Sequence, residues 1–175
     1  MDWFQQDTFA KWPWERARWA GEPPQVISTN GFDINFERVA AQRPDLILGV
    51  YQDIKPGDYE RLSRIAPTIA QSPDHKPYTT PWREETLTIA AAVGRKAQGQ
   101  KLIENVDAKF ARVRKEHPEF RGKEALIVDP GSGSVFAFTS VDPRGQFLKE
   151  MGFDSSTMAD KISTDGTARR SATSG

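Results

Sequence analysis

The 175-residue chain contains no cysteine. Disulfides, thiolate metal sites and cysteine nucleophiles are therefore excluded at the outset. Histidine is scarce as well: His75 and His117 are the only two, and they flank a long helical stretch. Protein metal sites draw on several converging histidines or carboxylates, so no direct metal ligand is expected. No apolar run reaches the roughly 18 residues that a membrane span requires. The opening Met1-Asp2-Trp3-Phe4 lacks the basic and apolar regions of a signal peptide. An excess of either charge is missing too, with 24 Lys+Arg against 24 Asp+Glu. Such a balance offers no polyanion-binding surface, and nucleic acid is not an expected partner.

Apolar material is present in quantity. Hydrophobic residues make up 37% of the chain, with 10 Phe and 5 Trp, enough for a packed core. The first 25 residues are rich in Trp without a sustained period; a short helix is expected near Trp14–Ala20, then a short strand at Val26-Ile27. A helix follows from about Ile34 to Gln42, with Phe36, Val39 and Ala40 on one face, and ends before Pro44. Asp45–Val50 is a compact apolar run between turn residues, which predicts a strand buried on both faces, as in parallel sheets. A short helix at Tyr59–Ile65 and a strand at Pro67–Ala70 continue the strand–helix alternation of an α/β fold.

Residues 71–80 are polar and contain proline, and predict a loop. Thr80 then offers an N-cap with Pro81 at the first helical position. Glu84 and Glu85 in the first turn favour the positive end of the helix dipole. This helix stops at Gly94, a left-handed C-cap. A second helix from Lys96 to Glu116 carries Leu102, Ile103, Val106, Phe110 and Val113 at helical spacing, and would span about 32 Å. Gly99 inside it should cost about 1 kcal/mol relative to alanine. Beyond Gly122 come an expected strand at Ala125–Val128, a Gly/Ser hairpin turn at Pro130–Ser134, a strand at Val135–Phe138 and a short helix at Gly145–Met151. From about Ser155 no further core pattern is expected.

Catalytic motifs do not stand out. Pro130-Gly131-Ser132-Gly133-Ser134 lacks the Lys-Ser/Thr of a phosphate loop and precedes a strand, not a helix. No serine sits on a nucleophile elbow or has an evident histidine partner. Three features remain. One is the helix bearing Glu37 that leads through Pro44-Asp45 into the buried strand. Another is Tyr51-Gln52 at the carboxyl end of that strand, the edge at which α/β proteins bind ligands. The last is Ser140-Val141-Asp142-Pro143-Arg144-Gly145-Gln146-Phe147-Leu148 at the matching edge of the second unit. On chemistry alone, Glu37 reads as a solvated helix carboxylate, Tyr51 as a strand-end aromatic, and Arg144 as a helix-start cation poorly matched to the dipole.

Taken in order, these segments resemble the siderophore and cobalamin class of substrate-binding proteins of ABC importers, most of all the iron-siderophore branch. The resemblance is carried by Asp2-Trp3-Phe4, Trp12-Pro13-Trp14 and Gly31-Phe32-Asp33 through Glu37 to Pro44-Asp45-Leu46-Ile47. Tyr59-Glu60-Arg61-Leu62-Ser63-Arg64-Ile65-Ala66-Pro67-Thr68, Pro81-Trp82 through Gly94-Arg95, and Asp142 to Leu148 extend it over about residues 2–153. It implies two α/β lobes bridged by one long helix, the class III solute-binding architecture, with ligand held between the lobes. Residues 1–80 would form a first lobe lacking its opening strand, 81–118 the connecting helices, and 119–175 an incomplete second lobe.

The resemblance implies no enzyme and no cofactor. It implies capture of a ferric siderophore, whose iron the siderophore itself chelates, and delivery to an ABC permease. Tyr51, Gln52, Tyr78 and Arg144 would line the cleft, joined by Phe32 and Trp14, since Arg and Tyr can donate to the complex's oxygens and aromatics can stack on it. Glu37 would dock on arginines of the permease. An extracytoplasmic location follows, as a periplasmic protein or surface lipoprotein whose full-length form is monomeric, while the shortened form could pair with itself through uncovered sheet surface. Haem or cobalamin as ligand, and a non-transport α/β interaction domain, are the alternative readings.

Overall fold

The structure, a computed structural model, describes residues 33–129, 134–162 and 167–171 and the isolated positions 13, 21, 25 and 27. The helix expected near Trp14 and the strand at Val26-Ile27 lie outside the described residues.

The first unit opens with α1 (Phe36–Ala41), capped by Asn35, whose side chain accepts from the Arg38 backbone N–H at 3.0 Å. The Arg61 guanidinium covers the Phe36 ring at 3.5 Å. β1 (Ile47–Gly49) pairs in parallel with β2 (Thr68–Ala70), Leu48 opposite Ile69. Between them runs α2 (Pro56–Ser63), which starts three residues earlier than the apolar pattern suggests. Pro56 sets that start, because its fixed φ suits the first helical turn and its missing N–H is not needed there. β1 is not buried on both faces: Leu48 is 41% exposed. Its only strand partner among the described residues is β2, so the doubly covered environment expected for Asp45–Val50 is not realised.

α3 (Trp82–Ala92) and α4 (Lys96–Glu116) form a helical hairpin turned at Gly94, φ 68°. Pro81, not Thr80, occupies the N-cap of α3; Thr80 is buried and caps nothing. On α4, Ile103 and Phe110 are buried while Leu102 is 56% exposed, since it falls to one side of the stripe formed by 103, 106, 110 and 113. Gly99 lies on that stripe, and a Cβ there would stand 2.5 Å from the Ala90 Cβ. The glycine lets α3 and α4 approach closely, which its helix propensity alone would not reveal.

After the 3-10 turn Pro118–Phe120, the single strand expected at Ala125–Val128 is two. β3 (Glu124–Ala125) and β4 (Val128–Asp129) belong to different sheets. β4 pairs antiparallel with β5 (Ser134–Phe138), as a hairpin requires. α5 (Pro143–Met151) ends at Gly152 in the left-handed region, φ 107°. Chain beyond Ser155 is also structured. β6 (Asp154–Ser155) pairs in parallel with β3, α6 (Thr157–Ile162) follows, and β7 (Thr167–Ser171) pairs antiparallel with β5. The polar composition of this tail hid a strand because β7 draws on backbone pairing, not on an apolar period.

A charged network fixes α5 against the hairpin. Arg83 on α3 donates to Glu150 on α5 at 2.6 Å and to Asp107 on α4, while Arg114 donates to the Glu150 carbonyl. Phe110 packs edge-on against Phe147 beside it, centroids 5.6 Å apart. The helix carrying Arg144 at its start is thereby held at its far end.

Candidate functional site

Two loops leave the carboxyl ends of the parallel strands. The first, directly after β1, carries Tyr51; the second, after β2, carries Tyr78. The two rings meet edge to face, centroids 5.3 Å apart at 74°. Tyr78 has a φ of 64°, a left-handed conformation uncommon for an aromatic residue. From the second unit, the segment after β5 brings Asp142 and Arg144 to the same place.

Asp142 is the organising group. Its side chain is 1% exposed and caps α5 by accepting from the Arg144 backbone N–H at 2.8 Å. The Arg144 guanidinium folds back onto the same carboxylate, Nε to Oδ1 at 2.7 Å and Nη2 to Oδ2 at 2.8 Å. This fork explains how a cation tolerates the positive end of a helix: the capping carboxylate lies between. The guanidinium also lies 3.7 Å over the Phe138 ring and donates from Nη2 to the Tyr51 hydroxyl at 2.7 Å. Tyr51 in turn donates to Asp142 Oδ2 at 3.4 Å. A residue that follows the first parallel strand is thus tied to one ninety-three positions further along the chain.

Burial and the adjacent Asp142 carboxylate push the Tyr51 phenol up to about 12, with Arg144 opposing and Glu85 adding to the rise. It remains a neutral hydrogen-bonding group at ordinary pH. Arg144 is held above its usual value, with burial opposing and the Asp142 partnership outweighing it. Glu85, in the first turn of α3, is raised by burial and then by Glu84 beside it. Four side-chain atoms in this stretch are buried without a hydrogen-bond partner: Gln71 Oε1, Thr80 Oγ1, Trp82 Nε1 and Glu85 Oε1. Gln71 and Thr80 belong to the loop bearing Tyr78, Trp82 and Glu85 to the first turn of α3; buried polar atoms are nearly always paired, so each has hydrogen-bonding capacity left for a polar ligand or ordered water.

Of the residues expected at the site, the structure brings Tyr51, Tyr78 and Arg144 together. Gln52 is exposed and makes no hydrogen bond among the described residues; it does not join the cluster. Trp14 and Phe32 lie outside the described residues. Glu37 is exposed in the first turn of α1. Asp142 and Glu85 were not singled out as site residues. The Asp-Pro pair before a helix signals an N-cap and could have pointed to Asp142, whereas nothing local reveals that Glu85, half-buried, acts on Tyr51.

His75 pairs with Glu84 at 2.8 Å and His117 with Glu119 at 2.9 Å. No group of three or more metal-ligating side chains occurs among the described residues. None of the described helices is long and apolar enough to cross a membrane. A cavity of about 440 Å³ lined by Arg114, Gln146, Lys149 and Glu150 shares no residue with the tyrosine–arginine cluster. It is an open groove between charged side chains and lacks the convergent aromatics of a ligand site.

Known proteins share the fold. The petrobactin-binding protein YclQ of Bacillus subtilis (strain 168) is 26% identical over 132 residues, which is 75% of this chain and 41% of YclQ. A periplasmic solute binding protein from Mycobacterium smegmatis str. MC2 155 superposes with a TM-score of 0.75 at 32% identity, covering 92% of this chain and 59% of that one. PiaA of Streptococcus pneumoniae TIGR4, an iron uptake ABC transporter substrate-binding protein, gives 0.72 at 28% identity, covering 91% and 56%. PiaA is also known in complex with ferrichrome. The chain spans about half the length of these relatives. The periplasmic binding protein model matches residues 2–172, running past Phe153 through the elements that the sequence pattern did not reveal. With a parallel-strand unit joined through one 21-residue helix to a second α/β unit, the chain belongs to the periplasmic binding protein family, in its class III form.

Proposed function

We propose that this chain captures a ferric siderophore against the Tyr51–Tyr78–Arg144 cluster and serves an ABC importer. One observation carries the reading: Tyr51 and Tyr78, from the loops that follow the two parallel strands, meet ring to edge, and Tyr51 shares a hydrogen bond with Arg144 from the second α/β unit. Phenol and guanidinium donors suit the oxygens around a chelated ferric ion, and ring edges suit its apolar periphery. The partnerless polar atoms along residues 71–85 support the same location. Iron would be held by the siderophore, and no protein ligand to it is required.

The remaining roles belong to the same reading. Residues 1–80, 81–118 and 119–175 act as first lobe, connector and second lobe. Glu37, exposed on α1, docks on cationic groups of a permease. The protein works outside the cytoplasm, at the periplasm or as a surface lipoprotein, and performs no catalysis. Leu48, Val128 and Val135, each between 41% and 50% exposed, are the apolar sheet positions through which two copies of this chain would associate.

Titration of tryptophan fluorescence with ferric hydroxamate and ferric catecholate complexes tests the core of this reading. Quenching that saturates with at least one class, and that weakens in Tyr51→Phe, is the expected result. No saturable response to any class would sink it. Glu37→Ala should leave that titration unchanged while slowing uptake in a strain that depends on this importer.

A further inference from the structure

The charges that meet at Tyr51 do not add up to a receptor for anions. Among the described residues, the charged groups acting on its phenol are Asp142, Arg144 and Glu85, one cation against two carboxyls. Arg144 is also not a free donor fork. Nε and Nη2 are both committed to Asp142, and Nη2 is shared with the Tyr51 hydroxyl. Asp142 is almost completely buried while the Arg144 side chain is 41% exposed, so the carboxylate is withdrawn from water and the guanidinium it matches stays partly open to solvent. What the cluster offers a ligand is a neutral phenol, a ring edge and a guanidinium whose charge is already matched.

We propose that Asp142 is a specificity-determining residue of the cleft: its bidentate grip on Arg144 cancels the guanidinium charge and sets the site for uncharged ferric complexes over polyanionic ones. The inference rests on the siderophore reading above and deepens it to a substrate class. Three hydroxamates each carry one negative charge and neutralise a ferric ion. Three catecholates each carry two, leaving a trianion. A trianion placed here would meet Asp142, and Glu85 when ionised, with Arg144 as the one cation acting on Tyr51 among the described residues to oppose them. An uncharged hydroxamate complex would meet hydrogen-bond donors and aromatic edges without that repulsion. A pair held this way still donates, because a guanidinium fork has five N–H groups and Asp142 engages two of them through side-chain contacts.

The test uses the whole chain, with ferrichrome as the neutral probe and a ferric tris-catecholate as the trianion. Native protein should bind ferrichrome more tightly by about tenfold, and Asp142→Asn should close that gap by strengthening tris-catecholate binding. Asparagine retains N-cap capacity, so α5 should persist in the variant, which circular dichroism checks. If the variant fails to fold, native protein decides alone. It must then show both the preference and a ferrichrome affinity that changes less than about twofold between roughly 0.05 and 0.5 M salt. Equal or tighter binding of the trianion by native protein, or an unchanged ratio in a folded Asp142→Asn, overturns the role of Asp142 and leaves siderophore capture standing. Binding of neither probe by native protein or variant overturns siderophore capture itself, and this inference with it.

Discussion

Replacing Gly99 by alanine sets helix propensity against packing, and the geometry of the α3–α4 hairpin decides between them. Propensity favours the change by about 1 kcal/mol at most. Against it, the new Cβ would stand 2.5 Å from the Ala90 Cβ and 3.5 Å from the Thr86 carbonyl oxygen. Carbon contacts are comfortable at about 3.5–4.0 Å, so the helices must part by about 1 Å. Ala90 has no rotamer to give, and its Cβ moves only with the backbone. The cost therefore belongs near the upper end of the roughly 1–3 kcal/mol of an overpacked core. The difference is a net loss of about 2 kcal/mol, or a fall in Tm of about 4–8 °C for a chain of this size. Thermal and urea unfolding followed by circular dichroism would measure it. Gly57→Ala is the control, since Gly57 lies in α2 with nothing within 4 Å of its added Cβ, and it should be neutral or stabilising. A Gly99→Ala protein as stable as the native one, or more stable, would refute the close-approach argument.

Three further outcomes follow from the site. Gly145→Ala should destabilise by about 3 kcal/mol, because its Cβ would fall 2.0 Å from the Thr139 carbonyl oxygen, a backbone atom that cannot move aside; an unchanged urea midpoint would contradict this. Tyrosinate absorbance should show one of the three tyrosines ionising late, near pH 12, and Tyr51→Phe should remove that step. Since the folded state keeps the phenol protonated, the stability linked to Tyr51 is complete below its ordinary value of 10.0 and is lost as pH rises through about 12. Glu85 follows the same sign: its raised pKa means stability falls as pH climbs through it. Glu85→Gln should therefore match the native protein below about pH 4 and exceed it at neutral pH, as read from urea midpoints across pH.

Much of this architecture was legible in the sequence, and the elements that were legible share a cause. α4 was readable to its end residues because twenty-one positions of helical period lie between Gly94 and His117-Pro118. β2 and β5 followed from short apolar runs closed by proline or polar turns, and α1 was legible as a helix, though its Asn35 cap starts it two residues later than the expected Ile34. The failures are equally specific. The run at 125–128 reads as one strand, but its ends join different sheets, a choice made by partners and not by propensity. β7 was missed because an Ala-Arg-Arg stretch has no apolar alternation, and its place is set by backbone bonds to β5.

The site divides along the same line. Sequence order alone placed Tyr51 after a parallel strand, Tyr78 in the next loop and Arg144 at the start of a helix, because strand ends and caps are local properties. That Tyr51 and Arg144 share a hydrogen bond, that Asp142 is buried beneath both, and that Glu85 adds a second carboxyl were decided only by the tertiary structure. Contacts across ninety positions depend on how two units close on one helix, and no local pattern encodes that distance. The balance of charge around Tyr51 is a property of that closure.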